Sequence, residues 1–474
     1  MTDTTEILEL IHNASLELLQ SPGIRLYDKK ILEKLKKRGV RVDNDIAMFS
    51  EKQVTQSLSS TPCSFTLNAI NPDKSLVIGG NNRCMAGSFG PPLIVTSDHQ
   101  KRLATFEDYI RVTRLVHATD LIHINGGTLV QPNDIEMETS KLLMTRAVLA
   151  LSDKPLLGFQ GGHKELSQII KLAAIAFGGE DYFRLKPHML FLVSTFSPLQ
   201  IDSEALATID ICARYGQPLI ITPAPITGST GPITAEGALV QANTEFLATL
   251  CIIQMITPGL PVVYGCLSGQ GDMRTGGVNI ASPSSSVFMR LASQMADKYN
   301  LPKRAQGVIT DAAQVSFQSA YESLFTLNYT YINQNNLTIH SAGCLASYAS
   351  FSYEQFMIDL ELIRLMECAH RECNFSKDNL AIDAIRQVGH GGTFLTHAHT
   401  LKHCRTDTFV PQLAPVKNDD PQKFLADIES NVKKRLTELE QAYQKPDLDK
   451  GVQKDMDNYA AACGIPSMHL DNIL

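Results

Sequence analysis

The feature that most constrains the fold is a unit that repeats along the chain from about residue 85 onwards. Each unit holds a short apolar run, a polar or glycine-rich stretch, and then a helical pattern of about fifteen residues. This alternation is typical of parallel strands joined by helical crossovers. Several runs begin with proline, which a strand tolerates at its first residue. The runs lie at residues 92–95, 121–124, 155–159, 189–193, 218–221, 261–264, 305–309 and 337–340.

Eight such strands predict an α/β fold, a (β/α)8 TIM barrel over residues 85–350, because an open dinucleotide-binding sheet would show a GxGxxG turn after its first strand. Helical spacing at residues 7–19 and 28–38 and a strand pair at 63–77 predict an N-terminal extension over residues 1–84. Residues 351–474 are predicted to form C-terminal helices together with a glycine- and histidine-rich segment.

Composition excludes several classes of protein. The net charge is −7, which gives no excess of cations for a nucleic-acid backbone. The first residues are polar and acidic where a signal peptide would be basic and then apolar, and no uninterrupted apolar run reaches the roughly 18 residues of a membrane span. The 10 cysteines form no regular framework and are interpreted as reduced thiols. We therefore expect a cytoplasmic protein that binds neither nucleic acid nor membrane.

The active site of such a barrel lies at the carboxyl ends of its strands, and the residues that follow the eight runs are polar but almost uncharged. Few lysines or arginines occur there and no phosphate-binding GxxxxGK[ST] loop is present, which favours a neutral or cationic small ligand. The exception is Arg274, which either pairs with Asp272 or holds a substrate carboxylate.

Aromatic residues at the same strand ends can either pack the barrel mouth or form a cage for a quaternary ammonium group. These residues are Phe159, Phe196, Tyr264, Tyr348, Phe351 and Tyr353. His340 is a candidate general acid or base, or a hydrogen-bond donor to a substrate carboxylate. The alternative is a buried histidine whose hydrogen bonds are all made to neighbouring residues. Asp311 is a second candidate, whose alternative role is to cap the following helix.

Two groups of residues resemble metal sites but are not predicted to bind metal. Cys368, His370 and Cys373 lie in a charged helical stretch, and the glycines that precede His397, His399 and His403 weaken a helical ligand set. The second segment is better interpreted as a loop that contacts a large ligand or a partner.

Four motifs give the chain a resemblance to a known family. They are Gly228-Ser229-Thr230-Gly231-Pro232, Asp272-Met273-Arg274-Thr275-Gly276, Gly389-His390-Gly391-Gly392 and the segment from Thr396 to His403. From about residue 85 to 412 the sequence resembles the trimethylamine methyltransferase family, and the histidine-rich segment is the most specific part of that resemblance.

The resemblance implies a (β/α)8 enzyme that moves a methyl group from an amine to the cobalt(I) of a corrinoid carried on a separate protein. The sequence contains only the twenty standard residues, so it resembles the branch of the family that lacks pyrrolysine. That resemblance implies a quaternary amine as the substrate, most simply glycine betaine. Proline betaine, carnitine and γ-butyrobetaine stay open as substrates. A corrinoid protein is the implied partner, no metal is bound directly, and a homo-oligomer is possible.

The resemblance also directs the assignment of site residues. Phe196, Tyr264, Tyr348 and Phe351 are predicted to surround the ammonium group, with Asp311 and His340 as further substrate contacts and His340 on the carboxylate. Gly389, His390, Gly391, Gly392, His397 and His399 are predicted to face the corrinoid. Two other hypotheses are a lyase or aldolase that uses Asp311 and His340, and a binding module without catalysis.

Overall fold

A closed barrel of parallel strands forms the centre of the molecule. The structure is a computed structural model that describes residues 4–414, 420–471 and 473. Within these residues the barrel has eight strands: β1 Cys84–Met85, β2 Asn125–Gly126, β3 Leu156–Leu157, β4 Met189–Ser194, β5 Leu219–Thr222, β6 Val262–Tyr264, β7 Arg304–Ala305 and β8 Leu337–Thr338.

The barrel closes through parallel pairing all the way round. β2 to β6 pair in chain order, and β7, β8 and β1 form a second set in which Leu337 lies opposite Cys84. Two parallel bridges join the sets, one between Ala86 and Ile124 and one between Tyr264 and Lys303. The predicted (β/α)8 fold is therefore confirmed.

Each strand is followed by a helix that packs on the outside of the barrel. The helices are α1 Phe106–Ala118, α2 Met137–Leu151, α3 His163–Ala176, α4 Ser203–Tyr215, α5 Ala235–Ile256, α6 Pro283–Lys298, α7 Phe317–Ile332 and α8 Tyr353–Ala369. By length and composition α5 is apolar enough to cross a membrane, but 83% of its apolar window is buried against the rest of the protein. It is a core helix of the barrel wall.

The first strand differs from the sequence prediction. Residues 92–95 do not enter the barrel; Leu93–Val95 pairs antiparallel with Lys101–Leu103 and parallel with Ser350–Phe351 at the edge. The barrel strand is Cys84–Met85, whose apolar run is too short to stand out in the sequence. Residues 86–92 therefore belong to the loop after β1, at the carboxyl end of the barrel.

The N-terminal extension closes the amino end of the barrel. Ser64–Leu67 and Leu76–Gly79 form the predicted antiparallel strand pair, with a 3-10 turn at Pro72–Lys74. Phe65, Leu67 and Ile78 of this hairpin pack into the same apolar cluster as the inward-facing strand residues. The hairpin therefore acts as a plug at that end.

The remaining elements surround this core. Helix Lys29–Lys37 starts at the capping Asp28 and ends before Gly39, whose φ of 81° is the left-handed conformation that commonly ends a helix. Fully buried Arg146 on α2 binds Asp457 at 2.7 Å and thereby attaches a C-terminal helix to the barrel. The other helices are Thr4–Gln20, Glu51–Ser60, Glu180–Leu185, Lys377–Leu380, Ile382–Val388, Ala398–His403, Pro421–Ala442, Lys450–Ala462 and Ser467–Asp471.

Besides the hairpin, short strands of the described residues form three small sheets outside the barrel, and one of these sheets joins the extension to it. Two residues of the loop after β4 pair with the N-terminal sheet, Gln200–Ile201 against Ile24–Leu26. The other short strands are Arg41–Asp43, Ile46–Met48, Ile226–Thr227, Gly269–Gly271, Val278–Asn279 and Cys344–Leu345.

We expect the plug to contribute measurably to stability. Leu67 is fully buried, so Leu67→Ala should lower the free energy of unfolding by about 2–5 kcal/mol through lost burial and a new cavity. The neighbouring Thr66 faces solvent, and Thr66→Ala is the matched control. Urea unfolding followed by circular dichroism measures both; equal midpoints for the two variants would contradict the plug role.

Candidate active site

A buried arginine lies inside the barrel. Arg304 on β7 is 3% exposed, and its side chain points inwards to the Thr222 hydroxyl of β5, with Nη1 to Oγ1 at 3.5 Å. Its Nε has no hydrogen-bond partner and, among the described residues, no carboxylate lies within ion-pair distance of it. Burial lowers the pKa of Arg304 to about 10, which still leaves it charged at neutral pH. An unpaired buried charge is costly, so this position calls for an anionic ligand.

His340 and Tyr348 lie next to this charge, in the loop that follows β8. Their ring centroids are 4.2 Å apart, and both backbones are left-handed, with φ of 60° and 75°. Burial and the Arg304 charge together hold the pKa of His340 well below its usual range. His340 Nδ1 accepts the Phe89 amide at 3.2 Å, so the neutral ring carries its proton on Nε2, where it can donate to a ligand.

Phe89 is an aromatic residue of the mouth that sequence reasoning missed. Its partly buried ring packs on the inward-facing cluster of the barrel. A Cβ at Gly127, where φ is 65°, would lie 2.7 Å from that ring, so the glycine leaves room for it. We call Phe89, Thr222, Arg304, His340 and Tyr348 the mouth cluster. Assigning strand 1 to residues 92–95 concealed Phe89, and Arg304 precedes the predicted seventh run rather than following it.

Asp311 lies close to the mouth but holds loops together. Its carboxylate accepts hydrogen bonds from the amides of Ile280 and Ala281 at 2.8 and 3.1 Å and from the Ser347 hydroxyl at 2.5 Å. It thus ties the loop after β6 to the loop that carries Tyr348. This engagement leaves less capacity for contact with substrate than the sequence prediction assumed.

The structure corrects two of the predicted cage rings. Tyr264 packs between Phe246 and Tyr299 on the helix side of the sheet, because Val263 takes the inward position on β6. Phe351 is fully buried against Tyr353 and Phe356 in the outer core. Neither ring can face a ligand inside the barrel.

The other predicted aromatic residue, Phe196, lies on the rim and is 61% exposed. Its loop is held by buried Glu245, which accepts from Ser197 at 2.8 Å and from the Leu199 amide at 3.0 Å. Of the four predicted rings, the structure therefore places only Tyr348 in the mouth cluster, where it lies beside His340. Arg274 is 90% exposed and pairs with Asp272, so it does not enter the mouth.

The glycine- and histidine-rich segment is joined to the barrel at the end opposite this cluster. Helix α8 runs from the carboxyl end of the barrel to the amino end, where His370 packs 5.3 Å from Tyr331, itself beside Arg83 just before β1. Residues 372–408, which we call the arm, continue from that point. Helix α8 has 17 residues and rises about 1.5 Å per residue, so it is about 25 Å long. The root of the arm therefore lies about that far from the mouth.

The predicted corrinoid-facing residues all belong to the arm. Gly389 and Gly391 have φ of 62° and 74° with nothing packed around them, and His390 is exposed. His397 and His399 cap and begin a short helix, and His399 stacks on His403 at 4.4 Å. Hydrogen bonds to Asp407 and, less strongly, to Asp378 raise the pKa of His403. Among the described residues, no group of histidine, cysteine and carboxylate side chains has the arrangement of a metal site.

A buried carboxylate positions the loop after β8. Asp359 on α8 is fully buried and accepts from the Gly343 amide at 2.8 Å and from Gln355 at 2.7 Å. Burial outweighs these hydrogen bonds and raises the pKa of Asp359 to about 7. The loop that carries His340 and Tyr348 is therefore fixed by a group that changes charge near neutral pH.

The fold and the mouth together define a (β/α)8 barrel that, among the described residues, holds a buried arginine without a carboxylate partner beside a histidine of lowered pKa. The family model described as trimethylamine methyltransferase (MTTB) matches residues 2–463. The chain belongs to that family, as the sequence motifs indicated.

Individual relatives agree with this membership. The chain is 34% identical to a glycine betaine methyltransferase of Desulfitobacterium hafniense, covering 87% of this chain and 86% of the relative. It is 27% identical to a proline betaine:corrinoid methyltransferase of Eubacterium limosum, covering 96% of each. The solved structure of Methanosarcina barkeri monomethylamine methyltransferase superimposes with a TM-score of 0.55 at 13% identity, over 93% of this chain and 88% of that one, and shows the same fold.

The raised pKa of Asp359 predicts a pH-dependent stability. Because the folded state holds a proton that the unfolded chain loses near pH 4, this contribution is complete below about pH 4 and disappears as the pH rises to about 7. Asp359→Asn keeps an acceptor for Gly343 without the charge, so its unfolding midpoint should fall less between pH 4.5 and 7.5 than that of the parent. Parallel pH profiles for the two proteins would disprove this role.

Proposed function

We propose that this enzyme transfers a methyl group from glycine betaine to the cobalt of a corrinoid carried by a separate protein. Its relatives named for glycine betaine and proline betaine support a quaternary amine and a corrinoid partner. The single observation that carries the choice of a betaine is the unpaired Arg304 inside the barrel.

Arg304 favours a betaine over a simple amine because of charge. A trimethylammonium group alone would meet a buried cation at short range, which the low-dielectric interior penalises. A betaine carries a carboxylate that can lie against Arg304 and Thr222, with His340 Nε2–H as a further donor. The ammonium end then lies towards the opening, where the faces of Tyr348 and Phe89 attract it through their ring quadrupoles.

The proposed reaction needs orientation more than acid or base chemistry. The carbon–nitrogen bond breaks, nitrogen keeps the electron pair and leaves as a neutral tertiary amine, and cobalt(I) supplies the pair for the new bond to the methyl carbon. No proton moves, which fits a mouth whose histidine is held neutral. The mouth cluster fixes the carboxylate and points the methyl groups outwards.

The structure weakens the alternative of a lyase or aldolase. Asp311 is occupied by three hydrogen bonds to loops, and His340 already accepts the Phe89 amide at Nδ1. An acid–base pair would need both groups to exchange protons with a substrate.

The proposal also includes the cellular location of the enzyme and its partner protein. We place the enzyme in the cytoplasm, and its ten free cysteines support a reducing compartment. The corrinoid stays on its own protein, and the arm residues Gly389 to Gly392, His397 and His399 contact that protein or its corrinoid. Neither nucleic acid nor membrane has a part in the reaction.

The purified enzyme, given a reduced cobalt(I) corrinoid and glycine betaine, should form the methylated corrinoid and dimethylglycine. Visible absorbance follows the corrinoid, and mass spectrometry identifies the amine product. Trimethylamine should be a poor donor because it offers Arg304 no carboxylate. Faster transfer from trimethylamine than from glycine betaine, proline betaine, carnitine or γ-butyrobetaine would reject the proposal.

Two substitutions in the mouth cluster separate its roles. Arg304→Met keeps the volume and removes the charge, so glycine betaine binding should weaken by at least about tenfold, as expected for about 1.5–3 kcal/mol per charged hydrogen bond. Its unfolding midpoint should stay equal or rise, since an unpaired buried charge is lost. His340→Ala should weaken glycine betaine and spare choline. Titration calorimetry measures both, and unchanged betaine affinity in Arg304→Met would remove the arginine from the site.

A further inference from the structure

The Tyr348 hydroxyl is a polar group that the mouth buries without a hydrogen bond. Its Oη is inaccessible to solvent, and none of the described residues donates to it or accepts from it. Gln306 lies close enough to influence the phenol, but the two side chains do not meet in hydrogen-bonding geometry. Burial raises the pKa of Tyr348 well above its usual range, so the phenol keeps its proton and can donate. A buried donor of this kind calls for a ligand or a water that accepts from it.

The inner end of the Tyr348 side chain lies beside the Arg304 charge. Arg304 and the phenol are close enough to affect each other's ionisation, and the arginine Nε is likewise buried without a partner in the described part of the chain. His340 lies against the ring, with the two ring planes inclined by 36°. Although its hydroxyl is buried, Tyr348 as a whole is partly exposed. The side chain therefore extends from the depth of the mouth towards the opening, with its hydroxyl at the inner end.

The backbone that carries Tyr348 is held in a conformation that most residues avoid. Ala346, Ser347 and Tyr348 are all left-handed, with φ of 51°, 53° and 75°. Three successive residues of this kind without a glycine cost free energy, which the surrounding structure has to supply. The amides of Ala346 and Ser347 donate to the carbonyls of Ala312 and Thr310 at 2.9 and 3.0 Å. These bonds hold the turn and thereby fix the direction of the tyrosine side chain.

Asp311 stabilises the same turn through a side chain. Its carboxylate accepts from the Ser347 hydroxyl at 2.5 Å, and that hydroxyl also lies 3.0 Å from the Val278 carbonyl. Because Ser347 directly precedes Tyr348, this contact acts on the tyrosine and not on a ligand. Asp311 is therefore a positioning residue for Tyr348.

A tyrosine held in this way can contact both ends of a short zwitterion. Its hydroxyl oxygen lies about 2.8 Å from the centre of its own ring, and in an α-betaine two bonds separate the nitrogen from the carboxyl carbon, about 2.5 Å. Glycine betaine and proline betaine are α-betaines. In carnitine and γ-butyrobetaine four bonds separate the same two groups, about 5 Å when the chain is extended. A carboxylate bound at the hydroxyl thus brings the ammonium over the ring face only when the spacer is short.

We propose that Tyr348 determines the length of betaine that this enzyme accepts: its hydroxyl donates to the carboxylate beside Arg304 while its ring face holds the ammonium, so the substrates are α-betaines. This inference rests on the proposed function and narrows it. Arg304 favours a carboxylate on any betaine, whereas Tyr348 distinguishes betaines by the distance between their charges.

Titration calorimetry with a series of betaines tests the inference without any corrinoid. Glycine betaine, β-alanine betaine and γ-butyrobetaine have two, three and four bonds between nitrogen and carboxyl carbon, and the parent should bind them with decreasing affinity. Tyr348→Phe keeps the ring and removes the hydroxyl. It should weaken glycine betaine about tenfold and γ-butyrobetaine less than about twofold, as expected for one lost hydrogen bond to a charged group. Most of the preference for the short spacer should therefore disappear, while choline affinity stays unchanged.

Three further variants separate this role from a general effect on the fold. Tyr264→Phe also removes a buried tyrosine hydroxyl, one that donates to Asn243 at 3.0 Å on the helix side of the sheet, and should leave the preference intact. Tyr348→Leu removes the ring and should weaken choline and tetramethylammonium as well as every betaine. Ser347→Ala frees the turn from Asp311 and should reduce the preference for glycine betaine over γ-butyrobetaine.

The outcomes distinguish this inference from the proposed function. A parent that binds γ-butyrobetaine as tightly as glycine betaine, or a Tyr348→Phe variant that loses equal affinity for both, would overturn the role of Tyr348 and leave methyl transfer from a betaine intact. Unchanged choline affinity in Tyr348→Leu would remove the ring from the ammonium site. A parent that binds no quaternary amine, and forms no methylated corrinoid from one, would reject the proposed function together with this inference.

Discussion

Closure of the parallel barrel is the constraint on which the rest of the structure depends. A closed ring of eight short strands must fill its own interior. It does so with side chains from every second residue of each strand, which point inwards. Ile124, Leu157, Leu190 and Val263 occupy these positions towards the amino end, and the plug seals that end with Leu67. Arg304 and Thr222 add polar side chains to this interior on the side of the mouth.

The position of Arg304 in the mouth explains how the barrel tolerates a buried charge. Within the described part of the chain, Arg304 has neither a carboxylate partner nor a hydrogen bond to its Nε, and burial disfavours the charge enough to lower its pKa to about 10. Stability alone would favour an apolar residue at this position. The same interior makes an anionic ligand bind more strongly than it would at a surface. The charge therefore destabilises the fold, and a carboxylate ligand would offset that cost.

Sequence patterns predicted the architecture better than the site. They indicate which residues are buried, but not whether a buried side chain points into the barrel or towards the helices. Long runs such as residues 189–193 are strands by any reading, whereas Cys84–Met85 is too short to show a period. Tyr264 and Phe351 are apolar strand-end residues as predicted, but which side they face depends on neighbours such as Val263. Arg304 is a single arginine before an apolar run, and only the closed barrel shows that it faces inwards.

The place of the arm, in contrast, follows from barrel order. The helix after the eighth strand must return to the amino end, so any segment after α8 starts away from the mouth whatever its motifs suggest. Asp359 shows the same coupling over a shorter distance, since a carboxylate on α8 fixes the loop that carries Tyr348.

The sign of the charge inside the mouth also determines how a substrate lies. With Arg304 at depth and neutral His340 beside it, a zwitterion is most stable with its carboxylate inwards and its cation at the opening. The reverse orientation would place two cations together in a low dielectric and leave the carboxylate without donors. In the favoured orientation the methyl groups are the outermost atoms of the ligand, facing the side from which a bulky acceptor must approach. Under the proposed function, a single buried arginine thereby selects the class of amine and orients its methyl groups for transfer.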